Sequence, residues 1–128
     1  MRKDQCLKIA QDWLSHFERV LQSGNCNHLE DCFHSESHWR DLLAFTGTIS
    51  PYEGAKEISL GLNSFQKIAQ AHSFKIVDKH TQPRLLNRLG RPVIEAIFTF
   101  ETKLGRGEGV VRVPDESLKT AWTLLTTL

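Results

Sequence analysis

The sequence predicts an α+β domain, from two patterns that follow one another along the chain. Near the N-terminus apolar residues recur at three-and-four spacing, so that Ile9, Ala10, Trp13, Leu14, Phe17, Val20 and Leu21 would share one helix face. After Ser73 apolar and polar residues alternate in short runs split by turn residues, the signal of an antiparallel meander. At 128 residues the chain is expected to form one domain, residues 1–128, and is too short for two full catalytic domains. Helices followed by a meander describe a curved antiparallel sheet wrapped over one long helix.

Taken in order, Asp4 is the expected cap of the first helix, and Ser23-Gly24-Asn25 stops it. Asn27 is the expected cap of a short second helix carrying Leu29, Cys32 and Phe33, with a loop over His34-Ser35-Glu36-Ser37. The stretch from His38 to Phe45 fits a strand or one helical turn, and Thr46 to Ser50 an extended segment. Pro51-Tyr52-Glu53-Gly54 has turn chemistry, and a third helix follows with Ile58, Leu62, Phe65, Ile68 and Ala69 on one face. Gly61 weakens that helix by about 1 kcal/mol relative to Ala, which points to a kink or a close contact.

Strands are expected over Phe74 to His80, Arg84 to Leu89, Val93 to Leu104, Gly109 to Val113 and Leu118 to Leu128. In the longest, Ile94, Ala96, Phe98 and Phe100 share one face, and Glu95, Ile97, Thr99 and Glu101 the other. In the last, Leu118, Thr120, Trp122 and Leu124 share a side. Gly105-Arg106-Gly107-Glu108 reads as a tight hairpin turn, and closing it there sets Leu104 opposite Gly109 and Glu101 opposite Arg112.

Composition narrows the function classes. With 40% hydrophobic and 24% charged residues the chain is neither a disordered tail nor a membrane bundle, and a net charge of +1 leaves no electrostatic footprint for nucleic acid or anionic membrane. The halves differ mildly: residues 1–60 hold six basic and nine acidic groups, residues 61–128 ten and six. Cys6, Cys26 and Cys32 form no CxxC pair, so neither a disulfide framework nor a zinc ribbon is indicated, and a cytoplasmic location is expected.

His38-Trp39-Arg40-Asp41 is the densest chemical cluster, with an imidazole, an indole donor, a cation and a carboxylate side by side. In a strand Trp39 and Asp41 would face one way and His38 and Arg40 the other. Arg40 can hold or polarise a carbonyl, epoxide or enolate oxygen, and Asp41 can move a proton if burial raises its pKa. The alternative is that Arg40 and Asp41 form structural ion pairs near a strand end. His34, Glu36 and His38 near Cys32 lack a metal motif and read as loop histidines. Glu95 and Glu101 are about 20 Å apart along one strand, too far to act together, with Glu101 expected to pair with Arg112 and Glu95 to face solvent. The aromatic residues are expected to be mostly core, some of them lining a cavity.

His38-Trp39-Arg40-Asp41-Leu42-Leu43-Ala44-Phe45-Thr46, Tyr52-Glu53-Gly54-Ala55-Lys56-Glu57-Ile58 and the ending Lys119-Thr120-Ala121-Trp122-Thr123-Leu124-Leu125-Thr126 carry a further signal. The chain resembles nuclear transport factor 2-like and SnoaL-like proteins, and these words most closely resemble the N-terminal domain of flavin-dependent monooxygenase-like proteins, here expected as a free-standing domain. Gly105-Arg106-Gly107-Glu108-Gly109 joins two strands and lacks the helix that a phosphate loop needs. The resemblance implies a cone-shaped, cystatin-like roll without cofactor or metal. It implies a cyclase or isomerase acting on a hydrophobic natural-product intermediate, including [4+2] cyclisation. Acid–base isomerisation, epoxide hydrolysis and a non-catalytic ligand-binding or dimerisation module remain alternatives. On that reading Arg40, Trp39 and Asp41 are the catalytic candidates, and Trp13, Phe17, Phe45, Tyr52, Phe65, Phe98 and Trp122 the substrate-binding ones. A homodimer is expected through the outer sheet face, where Ile97, Val111 and Leu125 would lie.

Overall fold

Helix α1 (Lys3–Ser23) buries Cys6, Ala10, Trp13, Leu14, Phe17, Val20 and Leu21, one helical stripe, as the apolar spacing requires. The computed structural model describes residues 2–78, 83–116 and 119–128. The expected cap shifts by two residues: Arg2 is the N-cap, its backbone N–H donating to Gln5 Oε1 at 3.0 Å, and Asp4 lies in the first turn, where its charge complements the helix dipole. Gly24, at φ 75°, takes the left-handed position that ends the helix.

Helix α2 (Cys26–Glu30) is capped by Asn25, whose side chain accepts from the His28 N–H at 3.0 Å, not by Asn27. Cys32 and Phe33 therefore leave the helix, and Phe33 opens β1 (Phe33–Leu42), so the expected loop over residues 34–37 is strand. The burial of Phe33, Ser37, Trp39 and Asp41 gives the period-two pattern that short polar residues had masked. Pro51, Tyr52 and Glu53 belong to β2 (Ile49–Glu53), an antiparallel partner of β1 that pairs Trp39 with Tyr52. Proline is tolerated because β2 is the sheet edge. The turn into helix α3 (Ala55–Ala69) is made by Gly54 at φ 85°. Ile58, Leu62 and Ala69 face the core, Phe65 is half-buried, and Ile68, expected on this face, is 70% exposed because it lies on the outer side of the last turn. Gly61 marks a close contact: a Cβ there would sit 3.2 Å from the Tyr52 ring and 3.3 Å from the Trp39 ring.

Strands β3 (His72–Ile76), β4 (Arg84–Arg88), β5 (Arg91–Thr102), β6 (Gly105–Pro114) and β7 (Ala121–Thr127) complete one seven-stranded curved sheet in the order β2-β1-β7-β6-β5-β3, with β4 also on β5. Lys79, His80 and Leu118, expected in strands, lie outside the described residues. The sheet is mixed, not antiparallel throughout, because β1 and β7 run parallel. No turn signal announces that pairing, since its two strands lie at opposite ends of the chain. Helix α1 packs over β3 and β5, and α3 over β1 and β2.

The β5–β6 hairpin corrects a second expectation. Its loop is Lys103-Leu104, flanked by the paired Thr102 and Gly105, so Glu101 faces Arg106 and Arg112 faces Glu95. Thr102 supports this loop, its Oγ1 accepting from the Leu104 N–H at 3.1 Å. Gly107 and Gly109 are strand residues that lie under the rings of their partners Phe100 and Phe98. Glu95, expected in solvent, is only 6% exposed.

Candidate functional site

The alternation of β1 divides the expected catalytic trio. Trp39 and Asp41 point into the cone at 1% and 0% exposure, whereas Arg40 is exposed on the outer face. Asp41 accepts from four groups: the Phe45 N–H at 3.0 Å, the Thr46 N–H at 2.7 Å, the Thr46 hydroxyl at 2.9 Å and the Thr126 hydroxyl at 2.6 Å. Trp39 Nε1–H donates to Thr126 Oγ1 at 3.0 Å. Asp41 is therefore held by hydrogen bonds, not by the ion pair of the alternative reading, and is no open proton acceptor. The carboxylate anchors the loop after β1, in which Leu43 has φ 76°, and ties that loop to β7.

The interior holds a continuous file of rings. Trp13 and Phe17 have centroids 4.9 Å apart, Phe17 and Phe74 5.7 Å, Phe74 and Phe100 5.0 Å, Phe100 and Phe45 5.8 Å, Phe45 and Trp39 5.7 Å, and Trp39 and Tyr52 4.7 Å. Phe98 packs on both Phe74 and Phe100. Of the expected cavity wall, Trp13, Phe17, Phe45 and Phe98 are thus core residues within this ring cluster, and Trp13 Nε1–H is bonded to the Cys32 carbonyl at 3.0 Å. Phe65 packs at the core margin, and Trp122 lies apart, half-buried with the Arg91 guanidinium 4.7 Å above its ring.

Titrating groups are scarce inside. His16, His28, His38 and His72 are exposed and His34 is half-buried; His80 lies outside the described residues. Burial, then the charges of Asp41 and Glu57, push the Tyr52 hydroxyl above its ordinary value, which keeps it a donor at neutral pH. Burial pushes the Cys32 thiol up to about 12, so it is no nucleophile.

The outer face carries an open groove. A groove of about 450 Å³ is lined by His38, Arg40, Pro51, Glu53, Val110, Arg112, Thr123 and Leu125, together with the strand segments at Trp39, Tyr52 and Leu124. Register explains the set: His38 pairs with Glu53 and Thr123, and Thr123 with Arg112, while Arg40 pairs with Pro51 and Leu125, and Leu125 with Val110. One wall is therefore polar and the other apolar. On the polar side Arg112 Nε–H donates to Glu95 Oε2 at 2.9 Å and Arg88 NH2 lies 3.2 Å from the same oxygen. Burial works to raise the Glu95 pKa, but the hydrogen bond and charge of Arg112, with Arg88, outweigh it and hold the carboxyl below its ordinary value. His38 Nδ1 lies 3.9 Å from Glu53 Oε1. Of the outward side chains of this groove, the sequence named Arg40 and His38 for their chemistry and Leu125 for the outer face. Pro51, Val110 and Thr123 join them through strand pairing, most of it distant in sequence.

No protein-family model matches the sequence, and neither does any curated protein. The solved structures do show the fold. A protein of unknown function with a cystatin-like fold from Methylobium petroleophilum PM1 is similar at TM-score 0.59 and 10% identity, covering 94% of this chain and 75% of its own. A protein from Bacillus subtilis described as "Putative Isomerase" reaches TM-score 0.59 at 13% identity over 99% of this chain and 88% of its own. A "putative isomerase of the SnoaL-like family" from Agrobacterium tumefaciens C58 reaches 0.57 at 15% identity over 98% and 97%. The chain therefore has the cystatin-like cone shared by nuclear transport factor 2-like and SnoaL-like structures. Among the described residues no helix is long and apolar enough to cross a membrane.

Proposed function

We propose that this chain is a cofactor-independent domain of the SnoaL-like isomerase type that handles an apolar small molecule, with the outer-face groove around Arg40 as its working surface. The observation that carries this reading is the contrast between the two faces. The cone interior holds packed rings and a carboxylate with four donors, while the groove is open, of ordinary ligand size and presents the Arg40 guanidinium beside apolar residues. Two structural neighbours described as isomerases support the class. The chemistry this wall suits is isomerisation or cyclisation by orientation, [4+2] closure included, with Arg40 polarising a carbonyl oxygen and no base required.

Backbone amide shifts on titration with a neutral apolar ketone such as 2-octanone test the location. Perturbation of Arg40, Val110, Thr123 and Leu125 is expected; shifts centred on Phe98, Phe100 and Trp39 would place the ligand in the cone and defeat the reading. On a substrate that is turned over, Arg40→Ala should lose about 10–1,000-fold in rate. The rate should also be nearly flat from about pH 6 to 8. A steep profile together with an inactive His38→Ala variant would instead assign proton transfer to His38.

A second reading is a homodimer that covers the same face. Its support is Ile49, 72% exposed and paired with Leu42, which extends the apolar row of Pro51, Leu125 and Val110 toward the sheet edge. Ile97, the register partner of Val110, continues the row on β5. Val111, expected to contribute, is fully buried on the inner face. Light scattering decides: only a ~15 kDa species at high concentration excludes the dimer, since an interface of about 1,600 Å² would persist.

A further inference from the structure

Resting on the groove reading, we propose that the molecule taken up there carries a carboxylate on an apolar body, with Arg40 as the carboxylate receptor. The argument is local charge accounting. Arg112 shares Glu95 with Arg84 and Arg88, and His38 Nδ1 lies 3.9 Å from Glu53 Oε1, so both polar-side donors already have a carboxylate beside them. Arg40 makes no ion pair or hydrogen bond with any other described residue, and its register neighbours on either side are Pro51 and Leu125. The result is a guanidinium without a partner among the described residues, set in an apolar row.

A guanidinium presents paired N–H donors that match the two oxygens of a carboxylate, and charge-assisted bonds of this kind are about twice as strong as neutral ones. The apolar body then follows the row. From Arg40 across Leu125 to Val110 is two strand spacings, about 10 Å, which suits a chain of roughly seven or eight carbons. Arg40, the groove guanidinium without an ion-pair partner among the described residues, with Glu53 at the opposite wall, matches a single carboxylate.

The experiment uses the intact chain and three probes with apolar tails of seven or eight carbons, octanoate, 1-octanol and octyltrimethylammonium, titrated by calorimetry at low salt. Octanoate is expected to bind at least tenfold more tightly than octanol, and octyltrimethylammonium less tightly than either. Arg40→Gln should erase the octanoate advantage while leaving octanol affinity and thermal stability unchanged, because the side chain is exposed. Leu125→Asp should weaken both octanoate and octanol. Equal affinities for octanoate and octanol, or an advantage that survives Arg40→Gln, would overturn the carboxylate assignment and leave the groove reading standing. Absence of any binding, or binding untouched by Leu125→Asp, would overturn both. A dimer that Leu125→Asp dissolves and octanoate does not compete with would also overturn both, since a second copy would then own the face.

Discussion

Asp41 shows how a residue with the chemistry of a catalyst can be spent on structure. A buried carboxylate is tolerable only when its lone pairs are satisfied, and here the Phe45 and Thr46 amides and the Thr46 and Thr126 hydroxyls all donate to it. An amide in its place would turn an NH2 group toward donors, so Asp41→Asn should cost about 2–4 kcal/mol in urea unfolding. A loss under about 0.5 kcal/mol would show that the network is slack. Glu95 gives the pH counterpart. Its folded pKa lies below the ordinary value of 4.5, so its stabilising contribution is fully present above that pH and is lost as the pH falls through the folded value. The stability gap between the wild type and Glu95→Gln is therefore expected to be constant from about pH 6 to 8, at about 1–3 kcal/mol, and to narrow below about pH 4.5. Urea titrations at pH 7 and pH 3.5 check this, and a gap that widens on acidification contradicts the sign.

At the scale of elements, the β5–β6 hairpin separates what local sequence can specify from what it cannot. The inward face of β5 was legible, because Ile94, Ala96, Phe98 and Phe100 alternate cleanly and all are buried. The turn was not, because three glycines in Gly105-Arg106-Gly107-Glu108-Gly109 look like turn residues while the true loop, Lys103-Leu104, contains none. Gly107 and Gly109 are there for space, and Gly105 for its φ of 146°. A Cβ on Gly107 would stand 2.5 Å from Phe100 Cζ, and one on Gly109 would stand 2.6 Å from the Leu125 carbonyl and closer still to the Phe98 ring. Gly109→Ala should accordingly cost about 3 kcal/mol through displaced aromatic packing, and Glu108→Ala, exposed on the same strand, less than about 0.5 kcal/mol. Equal melting temperatures for the two variants would refute the role given to these rings. The same limit hid the groove. Arg40 is conspicuous in the sequence, but its neighbours Leu125 and Val110 come from strands whose pairing no local signal encodes.

The whole molecule depends on that non-local pairing more than on any hairpin. β7 lies between β1 and β6, parallel to the first and antiparallel to the second, so the last strand of the chain joins the β1–β2 pair to the β3–β6 sheet. It also supplies Thr126, which accepts from Trp39 and donates to Asp41, and Leu124, which pairs with Trp39. Removing residues 119–128 would expose two inner strand edges at once and leave the Trp39 indole N–H and one Asp41 oxygen short of a partner. Such edges favour association with other chains, and the helices alone would have to hold the two parts together. The chain 1–118 is therefore expected to lose the near-UV dichroism of its packed tryptophans, to show no cooperative urea transition and to aggregate at micromolar concentration, even though it keeps α1, α3 and the β1–β2, β4–β5 and β5–β6 pairs in sequence. A truncated chain that stays monomeric and unfolds cooperatively within about 2 kcal/mol of the full domain would show instead that the helices carry the fold and that β7 merely decorates it.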